Sequence, residues 1–597
     1  MFRGGLPWPS STAYLIVGML ERLVARELDY LWGRLARATR NLDALGPLWS
    51  RGSDPRVSRI VESAAYFFAR VKEKLEDDIP EISHPLVASA LPEILRPTPS
   101  ATIIQMKDGA RSRRDKAEYA PRRLESRPID DVPCVFQTSW PTLVGPVEIT
   151  QTELRTREPG VQTLTLRIAA YGAALMSRVV PDPLRVYVDA RNPFRALDLV
   201  HALVTARSPI HVRALNVRGE PAGTFELPAT AIRWTALEGA PGLVPGRTDR
   251  FASGTALRAL HTFPEAYAFF DVRGLAAALA TAGPRVHAVE LTVRLADLVA
   301  ETDAVDCLLD CSPAVNVFPA VAAPLKVRGV GSLGVLRAAG HPGAEIFEVD
   351  GARLHSARDR AVEIDVRLWE SSVASEIWDD ELFLRFDRRA SIDRGPTELH
   401  AFLLRPRSPE GVPIGELHAD LLASDGLRTE SLLRGDIQHR TDASQIANIT
   451  RVTPPFPPRL DSRLPWRINA YARMPVMQFA TAASLASYVE LHDPRRGRLV
   501  EWSPDPSTAG VVSVTRRSTH RVERDEVIHG DEVDLVLDES AFGGRGATWL
   551  VGELAARAIA ERADFLRFTH TRWLRPDGGR MADYARRDGE RLPPPFG

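Results

Sequence analysis

Cysteine is scarce in this sequence: Cys134, Cys307 and Cys311 are the only three among 597 residues. An odd, sparse set excludes a disulfide framework and fits a reducing compartment. Net charge is nearly absent as well, since 76 Lys plus Arg stand against 77 Asp plus Glu, leaving −1. Nucleic-acid-binding domains carry a basic excess, so the balance points to no nucleic-acid partner. Long apolar runs are missing. The stretch Ala13 to Leu20 gives way at once to Glu21 and Arg22, whereas a membrane span needs roughly 20 apolar residues. Only Arg3 precedes it and no small-residue cleavage pattern follows, so it reads as the start of a soluble helix. The expected location is cytoplasmic, with no direct membrane insertion.

Catalytic motifs are equally scarce. H-E-x-x-H, G-x-S-x-G and G-x-x-x-x-G-K-[ST] do not occur, and the 14 His are scattered singly. Gly329-Val-Gly331-Ser-Leu-Gly334 matches G-x-G-x-x-G, but Gly340, His341 and Pro342 cut short the helix that would hold a pyrophosphate. Cys307 and Cys311 have no Cys/His pair at finger-like spacing downstream, while zinc needs four ligands, so they read as buried thiols. Glu76, Asp77, Asp78 and Glu81 crowd one helix end. Paired carboxylates do acid–base work when burial separates their pKa values, but a solvated face or a subunit contact is the plainer reading. No catalytic or metal-binding residue is assigned and no cofactor is expected.

What is present is ordinary globular material, 44% hydrophobic and 26% charged. At roughly 100–200 residues per domain the length suggests about three or four domains. Residues 12–38 carry Ile16, Leu20, Val24, Leu28, Leu31 and Leu35 at helical intervals. A second helix is predicted from Asp54 to Ile79, with Pro55 at its first position and Val57, Val61, Ala64, Phe68, Val71 and Leu75 as its apolar stripe, widened by Phe67. A third covers Leu86 to Leu95. These stripes leave two readings open, a self-contained helical unit or helices that pack on other chains.

Residues 107–128 are rich in both charges and read as a solvated loop or linker. Beyond them, Gln162–Ile168, Leu184–Val188 and Ala288–Leu295 alternate as half-buried strands do, with a helix at Phe194–Thr205. Thr453-Pro-Pro-Phe-Pro-Pro458 reads as an extended linker. Helices are predicted at Ser462–Tyr471, Ala482–Leu491 and Trp549–Phe568, the last after a flexible Gly543-Gly-Arg-Gly546, and a strand at Glu532–Leu537. The final two dozen residues read as a poorly ordered tail. The resulting division is a helical unit at 1–106, a charged linker at 107–131, a strand-rich α+β domain at 132–325, a β-rich domain at 326–452, an α+β unit at 453–573 and a tail at 574–597. The fold class is multidomain α+β.

Several blocks resemble one family in order along the chain. Arg26-Glu-Leu-Asp-Tyr-Leu31 is similar to R-E-L-x-Y-L, and the helix running from Arg59 to Glu81 to L-x-E-x-x-A-F-L-x-A-R with its K-L-D-D-E-F-P-type end. Leu91–Ser100 follows P-x-x-L-x-P-x-P-S. Phe263–Asp271 resembles F-P-E-K-F-x-F-F-D-L, Cys311–Phe318 resembles C-x-P-x-x-N-L-F, and Leu421–Gly426 resembles L-x-x-N-G. Leu537–Phe542 with the Trp549 helix matches the closing strand–loop–helix. The family is TssF, also called ImpG or VasA. Residues ahead of Arg26 and beyond Trp573 lie outside its usual extent.

The resemblance implies a non-enzymatic wedge subunit of the type VI secretion baseplate, docked at the inner-membrane complex. It implies two copies joined to a TssG-like subunit around a VgrG-like spike hub, with TssK-like and TssE-like neighbours. Leu20, Val24, Leu28, Leu31, Leu35, Phe67 and Phe68 are the candidate subunit interface. A wedge protein of another contractile, phage-like tail and an unrecognised cytoplasmic enzyme are the alternatives.

Overall fold

The computed structural model describes residues 24–25, 27–32, 55–76, 87–88, 91–107, 117–171, 174–237, 242–244, 252–281, 286–299, 305–358, 363–369, 381–390, 397–405, 412, 414–441, 444–458, 468, 474–495, 510–523 and 526–590. Near the start, the described residues of 24–32 are helical (α1), and a helix spans Pro55–Glu76 (α2). The predicted third helix is interrupted. Residues 87–88 are helical, Leu91 is not, and a short helix Pro92–Leu95 follows. Pro92 explains the break, because its ring disfavours helical backbone at the residue before it.

Strands dominate the rest, giving a mixed α+β fold. Val161–Ala170 alternates buried and half-buried side chains along its whole length. It pairs antiparallel with Val147–Glu158 and Ala288–Arg294, in a five-stranded sheet that continues through Ile210–Leu215 to Pro221–Leu227. A four-stranded sheet runs in the order Ile232–Trp234, Phe269–Val272, Leu184–Ala190, Val305–Leu308. The helix Pro193–Val204 (α3) shares their core. It begins where Asn192 Oδ1 accepts the Phe194 N–H at 3.1 Å, with Pro193 at its first position.

A six-stranded sheet takes Gln438–Thr441, Ser444–Asn448, Ala101–Lys107, Cys311–Val315, Val132–Thr138 and Arg123–Ile129 in that order. It draws on four of the six sequence segments expected as separate units. The charged run at 107–128 is therefore not simply a loop: Ala117–Tyr119 and Arg123–Ile129 are strands. Leu124 and Ser126 point inward while Arg123, Glu125 and Arg127 stay exposed. That is the in/out alternation of a strand with one wet face, hidden by the count of charges. Thr453–Pro458 is extended as predicted, but backbone hydrogen bonds tie it to Thr98 and Ala101.

This sheet meets an eight-stranded sheet, built from strands between Phe318 and Ser424, through one buried polar knot. Asn316 donates to the Val135 carbonyl at 2.7 Å and to Asp425 Oδ2 at 2.8 Å. Its own oxygen accepts from the Ser424 hydroxyl and the Asp425 N–H, both at 2.8 Å. Asp425 Oδ2 also accepts the Val135 N–H at 2.8 Å. The C-x-P-x-x-N and L-x-x-N-G-like blocks thus converge on the same few ångströms.

The C-terminal sheet holds Val511–Glu523 (β1), Glu526–Leu537 (β2), Phe568–Leu574 (β3) and Arg580–Asp583 (β4), in that order. Arg587–Asp588 also pairs with β3. The helix Arg545–Ala560 (α4) packs on α3 and joins the same core as the middle of the chain. It starts and stops earlier than predicted. Phe568, the predicted last residue of that helix, instead opens the strand Phe568–Leu574, which pairs parallel with β2, Leu535 facing Trp573. Gly543-Gly-Arg-Gly546 is a tight corner, with φ +87° at Gly543 and +153° at Gly544. The predicted tail is likewise corrected: Arg580–Asp583 and Arg587–Asp588 return as strands, and Tyr584 is buried with its hydroxyl on the Trp549 carbonyl at 3.1 Å.

His201 lies in the α3–α4 contact, and burial pulls its pKa down to about 4, with Asp297 acting in the opposite sense. The unfolded chain takes up that proton near pH 6.5 and the folded chain does not. The histidine therefore costs stability as pH falls from about 6.5 to about 4. At pH 5, His201→Gln is expected to lose less stability relative to pH 7 than the unaltered chain, by about 2 kcal/mol. Urea unfolding at the two pH values measures it.

Candidate interaction surface

The predicted interface residues divide into three groups. Val24, Leu28 and Leu31 lie along α1 and are half-buried, with Trp32 buried beside them in sequence. Leu20 and Leu35 lie outside the described residues. Phe67 and Phe68 are on α2 and are 68% and 54% exposed.

The phase of α2 differs from the predicted stripe. Its buried line is Val61, Ala65 and Ala69, four residues apart, rather than Val61, Ala64 and Phe68. Small side chains face inward, where they let helix axes approach closely. The large ones face out: Ile60 at 69%, Tyr66 at 47%, Phe67 and Phe68. Tyr66 and Phe67 meet edge-to-face, with ring centroids 6.2 Å apart. Sequence reading named Phe67 and Phe68 but missed Ile60 and Tyr66, although the seven-residue step from Ile60 to Phe67 marks one helical face. Ile60 and Phe67 share one face, and Tyr66 and Phe68 flank it about 100° to either side; so many bare large apolar side chains on one helix mark a surface that monomers rarely leave open.

Elsewhere the concave surfaces offer little chemistry. A cleft of about 520 Å³ is lined in part by Glu345, Thr397, Asp425 and Arg428. Its carboxylates are already engaged, Glu345 by the Thr397 hydroxyl and Asp425 by Asn316 and, at 3.5 Å, by Arg428. A second cleft of about 350 Å³ is floored by Trp234 and Trp549, stacked 5.1 Å apart, and both Arg557 and Arg587 there reach Glu553. No group of metal-ligating side chains occurs among the described residues.

The three cysteines are free and buried. Burial pushes the Cys134 thiol up to about 11 and the Cys307 thiol to about 12, the reverse of what a nucleophile needs. The glycine motif fails on structure too. Gly331–Val335 is a strand paired with Thr397–Leu404, and no helix follows it. The Phe263–Asp271 block is core: Trp234 donates to the Tyr267 carbonyl at 2.7 Å, and Arg185 and Thr235 hold Asp271 at 3.0 and 2.9 Å. No described helix is long and apolar enough to cross a membrane.

Comparison with known proteins bears on this surface. The family described as type VI secretion system, TssF, matches residues 27–591, so the segment beyond Trp573 lies within the family's extent and not past it. A curated relative, the type VI secretion system component TssF1 of Pseudomonas aeruginosa, is 27% identical over 292 residues. That stretch is 45% of this chain and 45% of the relative, so the chain matches less than half of the relative's length. A chain in a cryo-electron microscopy structure of a type VI TssK-TssF-TssG baseplate subcomplex superposes with a TM-score of 0.72 at 20% identity, covering 90% of this chain and all of that one. A chain in a type VI baseplate complex superposes at 0.55 and 17% identity, covering 96% and 100%. With the match running over nearly its whole length, this chain belongs to the TssF family of the type VI secretion system.

Proposed function

We propose that this protein is a structural subunit of the type VI secretion baseplate wedge, acting through surfaces and not through a bond-making centre. Two copies join one TssG-like subunit around a VgrG-like hub, with TssK-like and TssE-like components alongside, in the cytoplasm against the inner-membrane complex. The carrying observation is the exposure of four large apolar side chains on α2, Ile60, Tyr66, Phe67 and Phe68, in a chain that belongs to this family. Fully burying a large apolar side chain is worth about 1.5–3 kcal/mol. Such a face is the kind that obligate partners cover.

The test is co-expression with a TssG-like partner. Phe67→Asp with Phe68→Asp is expected to weaken co-purification about a hundredfold or more, since interface aromatics cost about 2 kcal/mol or more each when lost. Both side chains are exposed, so the unfolding midpoint of the isolated chain should stay put. Introducing charge on α1, as Leu28→Asp with Leu31→Asp, should have the same effect on the complex. Retention of the partner by the Phe67/Phe68 variant would reject this placement.

A further inference from the structure

The cleft floored by Trp234 and Trp549 carries positive charge that its own carboxylates do not balance. It lies where the end of α3, the strand Ile232–Trp234, α4 and the segment after β4 meet. Two carboxylates line it. Asp583 is exposed and is taken by Arg580 at 2.9 Å and by His570. Glu553 is buried, and one of its oxygens, Oε1, accepts both from Arg557 Nε at 3.0 Å and from Arg587 Nη2 at 2.5 Å. Two guanidinium groups therefore share a single carboxylate.

Both arginines remain open to the cleft, at 33% and 20% exposure. Each gives one more N–H to a carbonyl, Arg557 to Leu237 at 3.0 Å and Arg587 to Ala585 at 2.9 Å. A guanidinium offers five such donors. Arg557 Nη1 and Arg587 Nε make no hydrogen bond among the described residues. Burial holds the Arg587 guanidinium below its ordinary range and the like charge of Arg557 adds to the fall, although Glu553 and Glu590 act in the opposite sense. A cation so placed gains from an added anion.

The shape of the surplus selects the anion. A guanidinium fork matches a planar carboxylate with two parallel hydrogen bonds. A nucleotide fits worse, because base stacking needs a free ring face. Trp549 already stacks on Trp234 at 5.1 Å and is flanked by Tyr584 and His201, with centroids 5.6 and 5.8 Å away. Val204, Ala206 and Leu237 make the remaining wall apolar, so the entering carboxylate is best carried beside an apolar residue.

We propose that this cleft anchors an acidic segment of a neighbouring baseplate subunit, one Glu or Asp side chain meeting Arg557 and Arg587 while the apolar residue beside it covers the Leu237 wall. The contact rests on the reading above that the chain works inside an assembly, but it uses none of the α2 residues.

Calorimetric titration of the full-length chain tests it, with acetyl-Leu-Glu-Leu-amide, acetyl-Leu-Gln-Leu-amide and inorganic phosphate as probes. The glutamate peptide is expected to bind at least about tenfold more tightly than the glutamine peptide, the worth of a charged hydrogen bond. Arg557→Gln with Arg587→Gln should abolish that preference. Glu553→Gln removes the internal competitor and should tighten the glutamate peptide at least about threefold, a gain that misfolding cannot produce. Equal binding of the two peptides, tighter binding of phosphate, or unchanged affinity in Glu553→Gln would each overturn the proposal. In co-expression with the TssG-like and TssK-like partners, the double arginine variant should lower partner recovery at least about fivefold with Phe67 and Phe68 intact. Full recovery there, beside loss in the Phe67/Phe68 variant, counts against this cleft alone, whereas full recovery in both counts against the assembly reading as well.

Discussion

Asn316→Leu is expected to cost about 3–6 kcal/mol of stability, a large share of what a folded domain has in reserve. The side chain is fully buried and makes four short hydrogen bonds. Leucine has a similar volume, so loss of packing contributes little. What remains is two donors, the Ser424 hydroxyl and the Asp425 N–H, and two acceptors, the Val135 carbonyl and Asp425 Oδ2, each losing a partner. Orphaning a buried polar group costs about 1–3 kcal/mol. Asp425 Oδ2 keeps the Val135 N–H, which softens the total.

Asn316→Asp provides the control. It sets a second carboxyl against Asp425 in a dry site, so one of the pair holds its proton well above the usual carboxylate range. The folded state then binds more protons than the unfolded one, and the variant should gain stability as pH falls toward 5, whereas the leucine variant should not. Urea midpoints at two pH values separate the two. A leucine variant within 1 kcal/mol of the parent would show that the knot does not join the sheets.

Legibility followed locality. Val161–Ala170, Leu184–Ala190, Pro193–Val204 and Ala482–Leu491 are nearly where local pattern put them, because alternation, Asn192 and Pro193 are readable over a few residues. Phe568–Leu574 went unassigned beyond Phe568 because Phe-Thr-His-Thr-Arg-Trp-Leu has little local signal, and its pairing with β2 lies some forty residues earlier in the chain. Arg123–Ile129 was hidden by charge: an edge strand with a wet face counts as polar although Leu124 and Ser126 on its inner side are buried.

The exposed residues of α2 were half legible for a different reason. Periodicity marks which side chains of α2 are apolar, but not which of them this chain covers itself. Ala65 and Ala69 are weak hydrophobic signals, and Phe68 is a strong one, so pattern alone turned the helix the wrong way. A face meant for another protein looks, in sequence, like core. The buried knot at Asn316 was not legible: resemblance picked out the blocks that hold Asn316 and Asp425 but not their meeting, since Asp425 is more than a hundred residues away.

Gly546→Ala should destabilise the chain, although alanine favours helix by about 1 kcal/mol over glycine. Gly546 is in the first turn of α4, and a Cβ there would lie 2.7 Å from the Asp198 backbone nitrogen and closer still to the Leu197 carbonyl. Both belong to the backbone of α3, so no side-chain rotation relieves the overlap and the helices must separate. Separation weakens the bond from the Gly546 N–H to Asp198 Oδ1, now 2.8 Å. It also disturbs the 5.1 Å stack of Trp549 on Trp234. Overpacking of this kind costs about 1–3 kcal/mol and occasionally more. The Asp198 contact at the helix start is worth about another 1 kcal/mol, which the helix gain of about 1 kcal/mol offsets, so a net loss of about 1–3 kcal/mol is expected. Gly578→Ala is the matched control. It sits at φ +84° with nothing within 4 Å of its Cβ, so it carries only the left-handed penalty of about 1–2 kcal/mol. Tryptophan fluorescence in urea reads both variants. If Gly546→Ala proved more stable than Gly578→Ala, α4 would not rest on α3 at backbone contact, and the single core running from the middle of the chain into its C-terminal sheet would lose its principal joint.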